Sequence, residues 1–215
     1  MTPYIIAIAG PSGSGKSVFC RLMQSQFANV SRLKFDDFFV DAADVNIVQG
    51  YQEWDNPNSI KWSGLIQAAK DLKDGKPAIT PNYSRKDDCQ IGEKCVFPSE
   101  IMLLDGFMSL VNEDLLPYLD LKLYFNLSED SQKKRRKLRQ PWVEKGYLEH
   151  IMIPGHRRFL YPSMKNADYV INAELTPKGV AEHCLGIIQT ELKKKNAGHL
   201  EKSSIKYKEY AGIIS

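Results

Sequence analysis

Short apolar runs alternate with amphipathic stretches along most of this chain. An uninterrupted apolar run is typical of a strand buried on both faces of a parallel sheet, whereas apolar positions three or four residues apart indicate a helix. The predicted strands are 4–9, 31–35, 101–104, 121–125 and 167–171. The predicted helices are 16–27, 59–74, 129–139, 147–161 and 178–195, the fourth interrupted by Pro154 and Gly155. Strands alternating with helices predict an α/β fold with a mainly parallel five-stranded sheet and helices on both faces.

The remaining segments are less regular. Residues 40–54 show no clear period and are predicted to form a loop, and 79–97 contain turn residues that suggest a loop or a small hairpin. The length of 215 residues suits one large domain, placed at 1–195. The polar segment 196–215 is left as a C-terminal tail of unassigned role.

Composition narrows the possible partners only slightly. The net charge of +3 gives no global field that would favour nucleic acid. The four cysteines are scattered without a CxxC pair, which predicts free thiols rather than zinc ligands or disulfides. The apolar start at 1–9 is too short to span a membrane and lacks a basic leader, so a cytoplasmic location and no membrane partner are expected.

The first predicted strand is followed by Gly10–Ser17, which matches the pattern G-x-x-x-x-G-K-[ST] in full. Glycines let the backbone curl around a phosphate with its N–H groups pointing inward, and the next helix directs its positive end at the same anion. The lysine reaches the β- and γ-phosphates, and the serine hydroxyl binds Mg²⁺. The predicted ATP-binding residues are Gly10, Ser12, Gly13, Ser14, Gly15, Lys16, Ser17 and Val18.

Two carboxylates directly follow predicted strands. Asp36 comes after the second strand and Asp105 after the strand at 101–104. Ligands of open α/β sheets lie outside the carboxyl ends of the strands, where the glycine-rich loop also lies. One acid could hold Mg²⁺ and another could accept a proton from an attacking hydroxyl, so Ser17, Asp36 and Asp105 are the candidate metal residues.

Together with this loop, four short motifs follow one another in a recognisable order and spacing. They are Asp36-Asp37-Phe38-Phe39, Trp54-Asp55-Asn56-Pro57, Leu104-Asp105-Gly106-Phe107 and the basic run at 133–139. In this respect residues 4–175 resemble the uridine kinase-like P-loop nucleoside kinases, which include uridine–cytidine kinases and nicotinamide riboside kinases. The resemblance implies the three-layer P-loop kinase fold, a mobile lid at about 129–150, and phosphoryl transfer from ATP with Mg²⁺ to a small-molecule nucleoside.

The resemblance also implies roles for individual residues. Asp36 would be the general base or the orienter for the nucleoside 5′-hydroxyl, and Trp54 would stack on the nucleobase. Asp55 would hold the ribose hydroxyls, with Arg136 as its partner. The further residues implied are Lys16, Arg135 and Arg139 for catalysis, Tyr83 for substrate and Asp105 for Mg²⁺. On a helix Arg135 and Arg139 would share a face while Arg136 points about 100° away.

The choice of nucleoside depends on small differences from the family pattern. Uridine kinases have a Pro-x-Tyr-Asp loop with a downstream histidine. Here Pro81-Asn82-Tyr83 is present, but Ser84 replaces the acid and no histidine follows before Asp105. Nicotinamide riboside kinases have an aromatic residue before the ribose-binding acid, as Trp54 stands here, and tryptophan binds cations well. The sequence therefore favours nicotinamide riboside, with uridine or cytidine as the alternative.

Three other classes compete with a nucleoside kinase. In nucleoside monophosphate kinases the Asp-Gly-Phe signature continues with Pro-Arg, whereas Met108-Ser109 follows here. No N-K-x-D motif for guanine is present, which argues against a GTPase. A non-enzymatic nucleotide or RNA binder could use 133–139, but nucleic acid is not the expected partner. The phosphate donor preference and the oligomeric state stay open.

Overall fold

The computed structural model describes residues 2–197. Residues 198–215, which form most of the tail predicted at 196–215, lie outside this range. The strands are β1 (Tyr4–Ala9), β2 (Val30–Lys34), β3 (Ile47–Val48), β4 (Tyr51–Gln52), β5 (Ala78–Ser84), β6 (Cys89–Val96), β7 (Ile101–Asp105), β8 (Leu121–Asn126) and β9 (Tyr169–Asn172). The central sheet has five strands in the order β2-β7-β1-β8-β9, and all neighbours are parallel. The predicted five-stranded α/β sheet is confirmed.

Helices cover both faces of this sheet. They are α1 (Lys16–Gln26), α2 (Trp62–Lys73), α3 (Glu129–Arg139), a helical segment α4 at 145–166, and α5 (Pro177–Ala197). Successive side chains of β1 point to opposite faces, as in any strand. Ile5 and Ala7 belong to the core that contains the buried face of α2, whereas Ile6 and Ile8 belong to the core of α1 and α5. The three-layer arrangement is therefore confirmed.

The segment α4 does not break at Pro154 and Gly155, contrary to the sequence-based expectation. Short α-helical turns (Lys145–Tyr147 and Ile153–Gly155) alternate with wider π-helical turns (Leu148–Met152 and His156–Leu160), and a 3-10 turn (Tyr161–Asn166) ends the segment. Gly155 keeps ordinary helical angles, with φ −60° and ψ −44°. Proline has no N–H to donate within a helix. The wider π-helical turns tolerate this missing donor, so the hydrogen-bond pattern changes and the helical segment continues.

The less regular segments also become defined. Residues 79–97 lie mostly in an antiparallel hairpin of β5 and β6, and the loop at 40–54 contains the small β3–β4 ribbon. No helix among residues 2–197 is long and apolar enough to cross a membrane.

The carboxyl ends of three neighbouring strands meet at one edge of the sheet. β1 ends at the glycine-rich loop, β7 ends at Asp105, and β2 is followed by a 3-10 turn (Phe35–Phe38) that carries Asp36. A Cβ on Gly106 would lie 2.3 Å from the Cβ of Phe35, so glycine is required where β7 meets this turn. This edge of the sheet is where the candidate site forms.

Candidate active site

The glycine-rich loop adopts backbone angles that side chains disfavour. Gly10, Gly13 and Gly15 all have positive φ, at 125°, 82° and 91°. A Cβ on Gly10 would approach the carbonyl oxygen of Phe125 to 2.3 Å, so the loop can pass over β8 only with glycine there. The loop leads directly into the N-terminus of α1, where unpaired N–H groups and the helix dipole favour an anion.

Lys16 lies buried at the start of α1. Its Nζ donates to the carbonyl oxygen of Pro11 at 2.9 Å and to Ser14 Oγ at 3.4 Å, so the loop holds its own lysine in place. Burial lowers the pKa of Lys16 to about 8, although the carboxylates of Asp105 and Asp36 act in the opposite direction. While no anion is bound, the Lys16 ammonium group therefore loses its proton more easily than that of an ordinary lysine.

Asp36 and Asp105 both line the cavity beside Lys16, as expected from the sequence. Asp36 Oδ2 lies 2.9 Å from Arg85 Nη2, and Asp105 Oδ2 lies 3.5 Å from Arg32 Nε. Neither arginine was predicted. Each carboxylate thus has a cationic neighbour at the edge where phosphate would bind.

The donor set of Ser17, Asp36 and Asp105 consists of hard oxygen ligands, which fits Mg²⁺. No cluster of three or more His, Cys, Asp or Glu side chains within residues 2–197 is suited to hold a metal. Magnesium in such sites takes most of its ligands from water and phosphate, so one hydroxyl and two carboxylates are a suitable protein contribution. These three residues stay the proposed magnesium ligands.

Three arginines of α3 contact the glycine-rich loop. Arg135 donates to the carbonyl oxygens of Gly13 (3.2 Å) and Ala173 (3.0 Å). Arg136 and Arg139 both donate to Ser12 Oγ, at 3.2 and 3.0 Å. Arg135 and Arg139, expected to share a face of the helix, both contact this loop, and Arg136 reaches it as well because residues three apart on a helix also converge. Arg136, expected to partner Asp55, donates its hydrogen bond to Ser12 and also lies near enough for its charge to act on the Asp55 carboxylate.

Asp55 is buried and takes its partners from the α4 segment instead. Its Oδ2 accepts from the Tyr147 hydroxyl at 2.7 Å, and its Oδ1 lies 3.1 Å from His156 Nε2. Burial raises the pKa of Asp55, but the bonds from His156 and Tyr147 and the charge of Arg136 outweigh it, so the pKa is lowered overall. Asp55 is thus held as a carboxylate that can accept further hydrogen bonds from a ligand.

A buried chain of polar groups continues from Asp55 to α3. His156 is fully buried, and its Nδ1 lies 2.8 Å from Gln132 Oε1. The Gln132 amide nitrogen donates to the Leu127 carbonyl oxygen at 2.7 Å and to Tyr161, so its oxygen is the acceptor for His156. The two ring nitrogens of His156 thus lie against oxygen atoms of Gln132 and Asp55, which fixes the orientation of the buried ring. The acid expected to bind ribose is thereby tied to the arginine-bearing helix.

Close packing of α4 against the Asp55 loop completes this arrangement. A Cβ on Gly155 would lie 2.6 Å from the Asp55 carbonyl oxygen and 2.9 Å from its Cβ. Gly155 therefore allows His156 to reach Asp55, and this contact explains a glycine that the sequence suggested as a helix breaker.

Aromatic side chains form one wall of the cavity. The rings of Trp54 and Phe39 meet edge to face, with centroids 5.5 Å apart, and Tyr83 lies against Phe39 at 6.0 Å. Trp54, Tyr83 and Phe39 line the cavity together with Asp55 and Asp36. Such a wall offers flat apolar surface to a planar ring.

One cavity of about 1280 Å³ brings most of the predicted residues together. Its lining includes Ser12, Gly13, Gly15, Lys16, Ser17, Val18, Asp36, Trp54, Asp55, Tyr83, Asp105, Arg135, Arg136 and Arg139. Gly10 and Ser14 belong to the same loop but do not line the cavity. The roles proposed for these residues stay predictions, while their convergence is a property of the structure.

Sequence reasoning missed Arg85, Tyr147, His156 and Gln132. Single polar residues in a hairpin turn or a helix carry no motif, and burial of His156 depends on which helix packs on the Asp55 loop. Only Arg85 could have been suspected from the sequence. It stands two residues after Tyr83, in the segment that resembles the Pro-x-Tyr-Asp loop of uridine kinases.

Comparison with known proteins assigns this chain to a family. A sequence profile described as "Phosphoribulokinase / Uridine kinase family" matches residues 5–178. A uridine kinase of Deinococcus deserti is 30% identical over 182 residues, covering 79% of this chain and 87% of that protein. A Staphylococcus epidermidis uridine kinase is 29% identical over 180 residues, covering 78% and 86%. The solved structure of phosphoribulokinase from Rhodobacter spheroides has the same fold, with a TM-score of 0.58 at 12% identity, covering 84% of this chain and 74% of that one. The chain belongs to the phosphoribulokinase and uridine kinase family, a group of phosphotransferases that act on hydroxyl acceptors.

Proposed function

We propose that this protein transfers the γ-phosphoryl group of ATP to the 5′-hydroxyl of a pyrimidine ribonucleoside, with uridine as the preferred acceptor. The observation that carries this proposal is the single cavity that holds a phosphate-binding loop at one side and Asp36, Asp55 and an aromatic wall at the other. A triphosphate and a nucleoside can therefore be bound side by side, as in-line transfer requires.

In the proposed reaction the protein mainly positions the reactants and neutralises charge on the transferred phosphoryl group. Asp36 accepts the proton of the attacking hydroxyl, and Lys16 with the α3 arginines neutralises charge that develops on the transferred group. Mg²⁺ bound near Ser17 and Asp105 supplies further neutralisation of phosphate charge. Asp55 orients the ribose through its hydroxyls, and α3 is the first part of the proposed lid at 129–150.

The identity of the nucleobase is the more specific part of the proposal. The two relatives described above from Deinococcus deserti and Staphylococcus epidermidis are named uridine kinases, which supports uridine over nicotinamide riboside. Nicotinamide riboside stays the second candidate because Trp54 lies beside Asp55 in the cavity and an indole face binds a pyridinium well.

Steady-state kinetics with purified protein and MgATP test the proposal. Uridine, cytidine and nicotinamide riboside are compared by ADP release, and the product is identified as a 5′-monophosphate by mass spectrometry and NMR. We expect the largest kcat/KM with uridine. Preference for nicotinamide riboside would shift the assignment to the second candidate, and no turnover of any nucleoside would reject the proposed function.

The lowered pKa of Lys16 predicts proton uptake when nucleotide binds. With a pKa of about 8, roughly half of the Lys16 side chains are neutral at pH 8 and almost none at pH 6. A bound triphosphate favours the charged amine, so binding should take up about half a proton at pH 8 and close to none at pH 6.

Titration calorimetry of a non-hydrolysable ATP analogue in two buffers of different ionisation enthalpy measures this uptake. Lys16→Arg is the matched control, since a guanidinium stays charged at both pH values and should show no uptake. Equal uptake at pH 6 and pH 8 in the wild-type protein would contradict the prediction.

A further inference from the structure

Arg85 is half-exposed, lines the acceptor side of the cavity and makes contacts to separate parts of the fold. It lies in the turn between β5 and β6, and its Nη2 is 2.9 Å from Asp36 Oδ2. Its guanidinium carbon lies 4.4 Å from the centroid of the Phe39 ring and 5.7 Å from that of Tyr83. A cation therefore covers part of the aromatic wall on which a base would be expected to stack.

Tyr83 provides a second observation that points to a ligand. It is 8% exposed and lines the cavity, and its buried hydroxyl has no hydrogen-bond partner within residues 2–197. Burial, with smaller contributions from Asp88 and Asp41, raises the pKa of Tyr83 to about 12, although the charge of Arg85 opposes this. The hydroxyl therefore stays protonated at neutral pH and is available as a donor. Buried polar groups are normally paired, so a ligand acceptor is the natural partner for this one.

The two side chains define the chemistry of a matching base. An arginine can only donate hydrogen bonds, and the free tyrosine hydroxyl here offers a donor as well. A pyrimidine ring with carbonyl oxygens supplies the acceptors. A pyridinium ring would instead bring a second positive charge next to Arg85, which Asp36 offsets only in part because its carboxylate also serves the 5′-hydroxyl in the proposed reaction.

We propose that Arg85 is a specificity-determining residue, which with Tyr83 selects a neutral, carbonyl-bearing pyrimidine and discriminates against a cationic nicotinamide ring. This assignment rests on the proposed nucleoside kinase function. It deepens that function by adding a residue that decides between its two candidate acceptors.

Uridine and nicotinamide riboside make a matched pair for testing the assignment, because they share the ribose and the reacting hydroxyl. Any effect of Arg85 on Asp36 or on catalysis changes kcat/KM for both and cancels in their ratio. For the wild-type protein we expect uridine to be preferred by on the order of a hundredfold. Arg85→Ala should reduce this ratio by about tenfold, and Arg85→Glu should reduce it further, because the carboxylate attracts the pyridinium.

Two further variants complete the test. Lys86→Ala removes a positive charge from the neighbouring exposed position of the same turn and should leave the ratio unchanged. Arg85→Lys keeps the charge and should retain most of the discrimination, although a single ammonium cannot donate in the same forked way.

The outcomes separate the two levels of the proposal. Turnover of uridine with an unchanged ratio in Arg85→Ala and Arg85→Glu would overturn the role of Arg85 and leave the kinase function intact. An equal loss of activity with both acceptors would assign Arg85 to the support of Asp36 alone, and would also overturn its role in specificity. Absence of turnover with every nucleoside would overturn the kinase function and the Arg85 assignment together.

Discussion

Replacement of Asp36 by asparagine should lower kcat by about 10²–10⁴-fold while nucleotide affinity stays nearly unchanged. The amide keeps the size of the side chain but cannot accept the proton of the attacking hydroxyl. It also gives up the charge that pairs with Arg85 at 2.9 Å. Single-turnover measurements of the chemical step, with calorimetric titration of an ATP analogue, would separate the two quantities.

The adjacent Asp37 gives a matched control. Its carboxylate is buried and lies 2.5 Å from Lys94 Nζ in the hairpin, so its role is to fix β6 against the 3-10 turn. Asp37→Asn should therefore weaken this contact and cost far less in kcat than the change at Asp36. Wild-type turnover by Asp36→Asn would remove Asp36 from the mechanism.

Replacement of Asp55 by alanine should raise the nucleoside KM by about tenfold to a hundredfold, because charge-assisted hydrogen bonds to the ribose hydroxyls are lost. The same change removes the partner of Tyr147 and His156 inside the fold. Each of these buried side chains then lacks one hydrogen-bond partner, so we expect a loss of about 1–3 kcal/mol in the free energy of unfolding. Steady-state kinetics and denaturant titration measure the two effects.

The double variant Asp55→Ala, His156→Leu distinguishes ribose binding from structural support. Leucine removes the buried imidazole nitrogen that lost its contact with Asp55, so part of the lost stability should return. The nucleoside KM should stay high, since no carboxylate is restored. A nucleoside KM that is unchanged in Asp55→Ala would mean that the ribose is bound elsewhere.

The phosphate-binding half of the site could be predicted from the sequence almost completely. Gly10–Ser17 is a contiguous segment whose function depends on local backbone angles, and its context of strand and helix follows from neighbouring residues. Asp36 and Asp105 could also be placed, because the ends of parallel strands meet at one edge of the sheet. The geometry of such a contiguous motif is determined by its own residues and their immediate neighbours.

The acceptor half could be predicted only in part. Trp54 and Asp55 belong to a motif, but the partners of Asp55 lie about a hundred residues further along the chain, in α4. The family resemblance assigned Arg136 to Asp55, and only the position of α3 shows that Arg136 also donates to Ser12. A helical wheel gives the direction of a side chain around its own axis and contains no information on how the helix is placed.

The sequence alone determined the three-layer α/β fold, the phosphate loop and the edge of the sheet at which the site forms, because these depend on local periodicity and on the chirality of strand connections. Only the tertiary structure decided which side chains complete the acceptor site. Arg85 lies in a hairpin turn, and His156 lies in a helical segment that continues through Pro154 although the sequence predicted an interruption there. Their contacts arise from packing between segments distant in the chain, and no local pattern of residues records such packing.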